Sequence, residues 1–459
     1  MYRKGARLHF VGIGGIGMSG IAEVLLTMGY RVSGSDLKGS AITERLKSLG
    51  ATVYTGHSPE NIGDSFVVVT SSAVGPDNPE VRWAHELMVP VIPRAEMLSE
   101  LMRMKYGVAV AGTHGKTTTT SLVGAVLTEA GLDPTIVVGG KVGKLGSNAK
   151  LGQGNFLVAE ADESDGSFLC LSPTVSVITN IDREHMDHYG SEEAMENAFV
   201  EFANRIPFYG ALVVCLDDPR IQALMPRFGR RTVTYGLTGQ VDVWARHVVQ
   251  EKGRTRFEII HRGVSAGTVE LGIPGIHNVL NSLAAFAVGV ELDVGHSTIV
   301  SALSGFTGVD RRSEVKGEAG GVFVMDDYGH HPTEVQAVLQ GVRDSYDRRV
   351  VALFQPHRFS RTLDLAERFY TAFYGADILL VTDIYAAGEK PLPGVSAEAL
   401  AEGIRNHGHR AVRYVGNLEA AAVELLAAVR PGDIAITLGA GNVWQAGESL
   451  LERLKGGGQ

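Results

Sequence analysis

Cysteine is nearly missing from this chain: Cys170 and Cys215 are the only two among 459 residues. Two thiols cannot make a disulfide framework or, by themselves, a cysteine zinc site, and such sparse use fits a reducing cytoplasm with both thiols buried. Positive charge is scarce too. Lys and Arg total 42 against 51 Asp and Glu, a formal net charge of −9, and no basic run stands out. That argues against nucleic acid or an anionic membrane as the main partner. Long apolar runs are absent from the start of the chain, where Gly12, Gly14, Gly15 and Gly17 interrupt the stretch after the first basic residues. It reads as neither a signal peptide nor a membrane span. No short-period repeat or low-complexity tract occurs. What remains is a globular composition, 44% hydrophobic and 20% charged, in a chain long enough for about three domains.

Short apolar runs alternating with helical patterns begin three times, which predicts an α/β chain of three domains in series. Residues 1–105 read as a Rossmann-like parallel domain, with strands at 8–13, 31–33, 52–54 and 66–70. Residues 106–309 read as a central phosphate-loop ATPase-type α/β domain. Between about 232 and 272 its texture changes to short alternating strands, which predicts added antiparallel hairpins, and a helix over 278–290 follows. Residues 310–459 read as a second Rossmann-like domain with strands at 322–325, 350–354, 378–382 and 434–438. The glycine-rich tail, 455–459, is expected to be disordered.

The most informative motif is Gly112-Thr-His-Gly-Lys-Thr117, between an apolar run at 108–111 and a helical pattern. Strand, glycine turn, lysine and helix start make a cradle for phosphates. Backbone N–H groups and the helix N-terminus face the anion, Lys116 reaches the terminal phosphates and the Thr117 hydroxyl can ligate Mg²⁺. The usual longer loop would carry glycine at 110, where this chain has Val110. A second glycine loop, Gly12-Ile-Gly14-Gly-Ile-Gly17, precedes Asp36 by the spacing of a dinucleotide fingerprint. Such a loop reads a diphosphate, so NAD, a related nucleotide diphosphate and plain helix packing all stay open. The acidic run Glu160-Ala-Asp-Glu-Ser-Asp165 follows a predicted strand and suits Mg²⁺ beside phosphate, although a solvated turn would look the same. The next strand ends in Asn180-Ile-Asp-Arg-Glu-His185-Met-Asp187. A parallel sheet brings such strand ends together.

These motifs, with Gly275-Ile-His277-Asn278-Val-Leu-Asn281, Asp326-Asp-Tyr-Gly-His-His-Pro332 and Phe354-Gln-Pro-His-Arg-Phe-Ser-Arg361, resemble the Mur ligase family from about residue 7 to about 450. The resemblance implies an ATP- and Mg²⁺-dependent amide ligase, joining L-alanine to the lactyl carboxylate of UDP-N-acetylmuramate. It implies that Gly112, Thr113, His114, Gly115, Lys116, Thr117 and Thr118 hold ATP, with Thr117 and Glu160 on one Mg²⁺ and His185 on a second. Asn278 and Asn281, i and i+3 on one helical face, are implied at adenine. Arg312 and Asp327 are implied at the γ-phosphate and ribose, and Tyr328 at substrate. Gly12, Gly14, Gly15, Gly17, Asp36 and Ser71, from Ser71-Ser72-Ala73, are implied at the UDP-sugar. Arg358 and Arg361 are candidates for the alanine carboxylate, and His330 and His357 for the base that deprotonates its amine. Several relatives support the second metal with a carbamylated lysine, but no lysine occurs here between Lys150 and Lys252. Glu196 or Glu201 could supply that charge, although both also read as exposed helix carboxylates. The implied setting is cytoplasmic, as a monomer or weak homodimer, with no nucleic acid and no membrane.

Overall fold

The chain is described here from a computed structural model covering residues 5–71, 73–142 and 147–456. Ser72 and the tail residues 457–459 lie outside the described residues. Two compact units divide the chain: Met1–Arg246, Glu258–Val269 and Leu280–Phe306 form one, and His247–Phe257, Glu270–Val279 and Thr307–Gln459 the other.

Three sheets organise it. The first contains β1 (Arg7–Val11), β2 (Arg31–Asp36), β3 (Thr52–Thr55), β4 (Val67–Thr70) and β5 (Val91–Pro93), all parallel in the order β3-β2-β1-β4-β5. That order reverses between β1 and β4, the switch point at which open α/β sheets bind ligands. β1 stops at Val11, so Gly12 and Ile13 belong to the loop and not to the predicted strand.

The second sheet contains β6 (Tyr106–Ala111), β7 (Thr135–Val142), β8 (Ser147–Lys150), β9 (Phe156–Glu160), β10 (Val175–Ile178), β11 (Ala211–Cys215) and β12 (Thr232–Gly236), followed by β13 (Val243–Glu251), β14 (Arg254–His261) and β15 (Val264–Leu271). Its order is β15-β14-β13-β12-β11-β10-β6-β9-β7-β8. The strands from β7 to β13 pair in parallel, and β8 is antiparallel to β7. The expected hairpins begin at β13; β12 still extends the parallel sheet. Lys252-Gly253 and Arg262-Gly263 join neighbouring strands, and all four residues have positive φ. Two-residue connections of this kind form only between antiparallel strands.

The third sheet contains β16 (Glu314–Ala319), β17 (Val322–Asp327), β18 (Val350–Phe354), β19 (Ile378–Val381), β20 (Val412–Tyr414) and β21 (Ile434–Leu438), in the order β16-β17-β21-β18-β19-β20. Only β16 is antiparallel to its neighbour among the described pairs. β18 shows why its sequence is apolar without alternation. Val350, Ala352 and Phe354 enter one core, while Val351 and Leu353 enter another. Side chains alternate across a strand, so one covered by helices on both faces needs apolar residues throughout. Each fully buried Val, Leu or Phe contributes about 1.5–3 kcal/mol.

Two expectations are corrected. Cys215 is buried but Cys170 is exposed, since it ends a short 3₁₀ turn instead of facing a sheet. The final helix, Trp444–Gly456, includes Lys455 and Gly456, so the tail is ordered that far. No helix among the described residues is long and apolar enough to cross a membrane.

Candidate active site

In the central sheet, β10, β6 and β9 are neighbours, so three functional loops leave adjacent strand ends. The loop after β6 leads into the helix Lys116–Glu129, whose N-cap, Gly115, is left-handed and provides no side-chain cap. Two glycines are required by shape. Gly112 has φ +123° and a Cβ there would overlap Thr179 Oγ1; at Gly115, φ +81°, it would lie 2.6 Å from Asn281 Oδ1. The loop after β10 grips this turn. Asn180 Oδ1 accepts from His114 N at 2.9 Å, Asn180 Nδ2 donates to His114 O at 3.0 Å, and Thr179 Oγ1 donates to the same carbonyl at 2.6 Å. Asp182 faces His114 Nε2 at 3.2 Å and donates its backbone N–H to Thr113 Oγ1.

Thr117 Oγ1 donates to Glu160 at 3.1 and 3.2 Å, so the two residues expected to share Mg²⁺ do meet. Lys116 Nζ donates to Gly112 O at 2.8 Å, Thr113 O at 3.1 Å and Glu163 Oε1 at 2.8 Å. His185 Nε2 lies 3.7 Å from that same Glu163 oxygen. His185 has φ +58° and precedes the short helix Met186–Tyr189, whose Tyr189 hydroxyl donates to Glu163 O at 2.5 Å. Burial pushes the Glu163 carboxyl up to about 7, against the pull of Lys116. Burial also works against the Lys116 charge, but Glu163, Glu160 and Asp162 outweigh it and hold the ammonium above its usual value. A hydroxyl and hard carboxylate oxygens make a donor set suited to Mg²⁺ beside phosphate, with the His185 imidazole as a softer donor next to them. Thr118 is buried in the same helix, and Asn281 Oδ1 accepts from Thr119 Oγ1 at 3.1 Å. Asn278 is buried, its Nδ2 donating to Pro274 O at 2.6 Å.

At the first glycine loop, Gly14 N donates to Asp36 Oδ2 at 2.9 Å, and a Cβ on Gly12 would lie 3.4 Å from Ser71 Oγ. The helix Ile16–Thr27 starts at Gly15 with no side-chain cap. Arg94 covers Gly17 so closely that a Cβ there would overlap its guanidinium, and its Nη2 reaches Asp162 Oδ2 at 3.4 Å. One arginine thus touches both the first glycine loop and the acidic run after β9. Behind β2, buried Glu80 accepts from Ser35 Oγ at 2.5 Å and Asn61 Nδ2 at 2.6 Å. Burial opposes its charge, yet bonds from His9, Ser35 and Asn61 hold its carboxyl at about 2.

The second unit carries the remaining candidates. Arg311 and Arg312 divide their work. Arg311 donates to Asp326 Oδ2 at 2.9 Å, Gly441 O at 3.1 Å and Gly439 O at 2.5 Å, tying β16, β17 and β21 together. Arg312 pairs with Glu334 at 3.5 Å, and both guanidinium groups lie over the Tyr328 ring, Arg311 at 5.1 Å and Arg312 at 5.0 Å. Asp327 is buried, accepting from Ser313 N and Gly329 N at 2.6 Å each; burial raises its carboxyl to about 6, against Arg312. Burial, then Arg312, lowers His277 to about 4 and keeps it neutral. His330 and His357 rings lie 5.5 Å apart, and His357 stacks on Tyr385. Arg361 Nη1 donates to His357 Nδ1 at 3.0 Å. Arg358 has φ +68° and a buried Nε with no hydrogen-bond partner among the described residues.

Glu196 and Glu201 are each paired with an arginine: Arg220 holds Glu196 at 3.1 Å and Arg205 holds Glu201 at 2.5 Å. Sequence reasoning missed Arg94, Glu80, Glu334 and the particular position of Glu163. Only Glu163 carried a local signal, its place in the acidic run.

Residues 7–106 match the Mur ligase family catalytic domain, 110–289 the Mur ligase middle domain and 311–441 the Mur ligase glutamate ligase domain. The UDP-N-acetylmuramate–L-alanine ligase of Geobacter sulfurreducens is 59% identical over 457 residues, covering 99% of each chain. That of Trichlorobacter lovleyi is 58% identical over 456 residues, covering 99% of this chain and all of its own. Among solved structures, the UDP-N-acetylmuramate-alanine ligase MurC of Thermotoga maritima superposes with TM-score 0.82 at 28% identity, over 98% of this chain and 99% of that one. The chain belongs to the Mur ligase family.

Proposed function

We propose that this Mur ligase joins L-alanine to the lactyl carboxylate of UDP-N-acetylmuramate through an acyl phosphate, releasing ADP and phosphate, as a cytoplasmic step of peptidoglycan precursor synthesis. The observation that carries the chemistry is the meeting of Thr117 with Glu160 beside Lys116, on two neighbouring strand ends. The acceptor is assigned from relatives that match almost residue for residue in length.

A carboxylate acylates poorly until its oxygen becomes a good leaving group. Attack of the lactyl carboxylate on the γ-phosphorus of ATP supplies one, and the alanine amine then displaces phosphate from the acyl carbon. Lys116 turns from Glu163 to the β- and γ-phosphates, and Arg312 serves as a second cation for the transferring group. Mg²⁺ held by Thr117 and Glu160, with a second ion at His185, would neutralise charge on the phosphate oxygens. Asn278, Asn281 and Asp327 are assigned to the nucleoside, and the amino-terminal glycine loop with Asp36 and Ser71 to the UDP-sugar. Arg94 adds a cation that sequence reading had not placed there.

The alanine amine must lose a proton before it attacks, and hydrogen bonding separates the two candidate bases. Arginine only donates, so Arg361 makes His357 Nδ1 an acceptor and leaves the proton of the neutral ring on Nε2. His330 Nδ1 instead donates to Tyr328 O at 3.1 Å, which leaves the lone pair on Nε2. His330 is therefore assigned as the base and His357 as a support for Arg361. Arg361 and Arg358 are assigned to the alanine carboxylate, a role favoured by the buried, unsatisfied Nε of Arg358.

Phosphate release measured with UDP-N-acetylmuramate against a panel of amino acids and peptides tests this reading. L-Alanine should give the fastest release. Release independent of any amino acid, or faster with a peptide, would overturn it.

A further inference from the structure

Glu163 is 2% exposed, and its Oε2 has no hydrogen-bond partner among the described residues. Its Oε1 is shared by Lys116 at 2.8 Å and His185 at 3.7 Å. An ammonium has three protons, and those of Lys116 are matched by Gly112 O, Thr113 O and Glu163. Lys116 cannot reach phosphate without giving up at least one of these acceptors. Releasing the two loop carbonyls would undo the cradle, so Glu163 is the partner to surrender. A buried carboxylate then loses its counter-charge and needs another cation, or a proton, in its place.

We propose that Glu163 is a direct ligand of the second divalent cation, beside His185, and that it exchanges Lys116 for that cation as the nucleotide binds. This rests on the function proposed above and deepens it. The two ligands are already tied to each other. The Tyr189 hydroxyl donates to Glu163 O at 2.5 Å from the short helix that His185 begins. Loops joined in this way hold two donors at a fixed separation, which a metal site requires. The other carboxylates considered for this charge, Glu196 and Glu201, are paired with Arg220 and Arg205.

The test counts Mn²⁺ bound to the full chain by electron paramagnetic resonance, with a non-hydrolysable β,γ-imido analogue of ATP. The wild type should bind two Mn²⁺, and Glu163→Gln one. Loss of an outer-sphere partner already weakens metal binding by about 10–100-fold, so removing a direct ligand should weaken the second ion by at least about 100-fold. Analogue affinity and the first ion should stay within a few-fold. His185→Ala should reproduce the loss, Glu163→Asp should restore part of it, and a thermal melt shows that each variant is folded. Two Mn²⁺ of unchanged affinity in folded Glu163→Gln would overturn the inference. Equal weakening of analogue and both ions would do so as well, because Glu163 would then act only through Lys116. A wild type that takes up neither analogue nor Mn²⁺ would instead refute the underlying ligase reading.

Discussion

Removing Lys116 should make the stability of its unit depend more steeply on pH. Glu163 is buried, and even with Lys116 present its carboxyl titrates at about 7 against an ordinary 4.5. A carboxyl whose pKa is raised by folding stabilises the fold below its unfolded value and loses that contribution as pH climbs through the folded one. The wild type therefore loses this contribution as pH rises through about 7, and without the Lys116 charge the carboxyl is pushed higher still, so more of the loss falls between pH 6 and pH 8. The destabilisation of Lys116→Ala relative to wild type should grow by roughly 1 kcal/mol across that interval, the size of about one pKa unit. At pH 8 the total should approach the roughly 3–5 kcal/mol typical of a broken buried pair, and at pH 6 protonation of Glu163 should relieve part of it. Urea unfolding at both pH values, read by hydrogen exchange in β6 and the helix Lys116–Glu129, assigns the change to the unit that holds the pair. Adding Glu163→Gln should remove the extra slope. Parallel pH dependence of wild type and Lys116→Ala, or a slope that persists in the double variant, would refute the pairing argument.

Other substitutions probe other parts of the machinery. Arg361→Ala should raise KM for L-alanine far more than those for ATP and UDP-N-acetylmuramate, because truncating one partner of a desolvated charged pair costs about 2–5 kcal/mol; steady-state kinetics with each substrate varied in turn decides this, and an even rise in all three would place the alanine carboxylate elsewhere. Gly112→Ala should weaken the nucleotide about tenfold or more, since it combines a strained φ of +123° with an overlap at Thr179; calorimetry with an ATP analogue checks it, and unchanged affinity would mean that the turn is adaptable. Activity should be equal in degassed and bicarbonate-supplemented buffer, because no lysine between 150 and 252 is available for carbamylation; a reversible bicarbonate activation would implicate a lysine from another segment.

How far such a site can be read before its structure is known depends on whether its signals are local. The phosphate loop is legible because everything it needs lies within a few residues: an apolar strand, two glycines forced to positive φ, and a lysine at the helix start. The hairpins at 252–253 and 262–263 are legible for the same reason. Short strands such as Val412–Tyr414 and Val91–Pro93 have too few residues to display a period, and their place comes from the neighbours they pair with. Charged residues are harder still. Arg311 and Arg312 are adjacent and chemically identical, yet one clamps Asp326 and two backbone carbonyls while the other pairs with Glu334. Nothing in the local sequence separates them, because the distinction lies in partners 15 to 130 residues away. Glu160 and Glu163 pose the same problem within one acidic run, where the first meets Thr117 and the second is buried against Lys116. A charge is buried only where a distant partner compensates it. Its role is therefore decided by the folded chain, and resemblance to a family can nominate the run without saying which carboxylate acts. That is why Glu163, an ordinary acidic residue in the sequence, becomes the group on which the Mn²⁺ count and the pH dependence both turn.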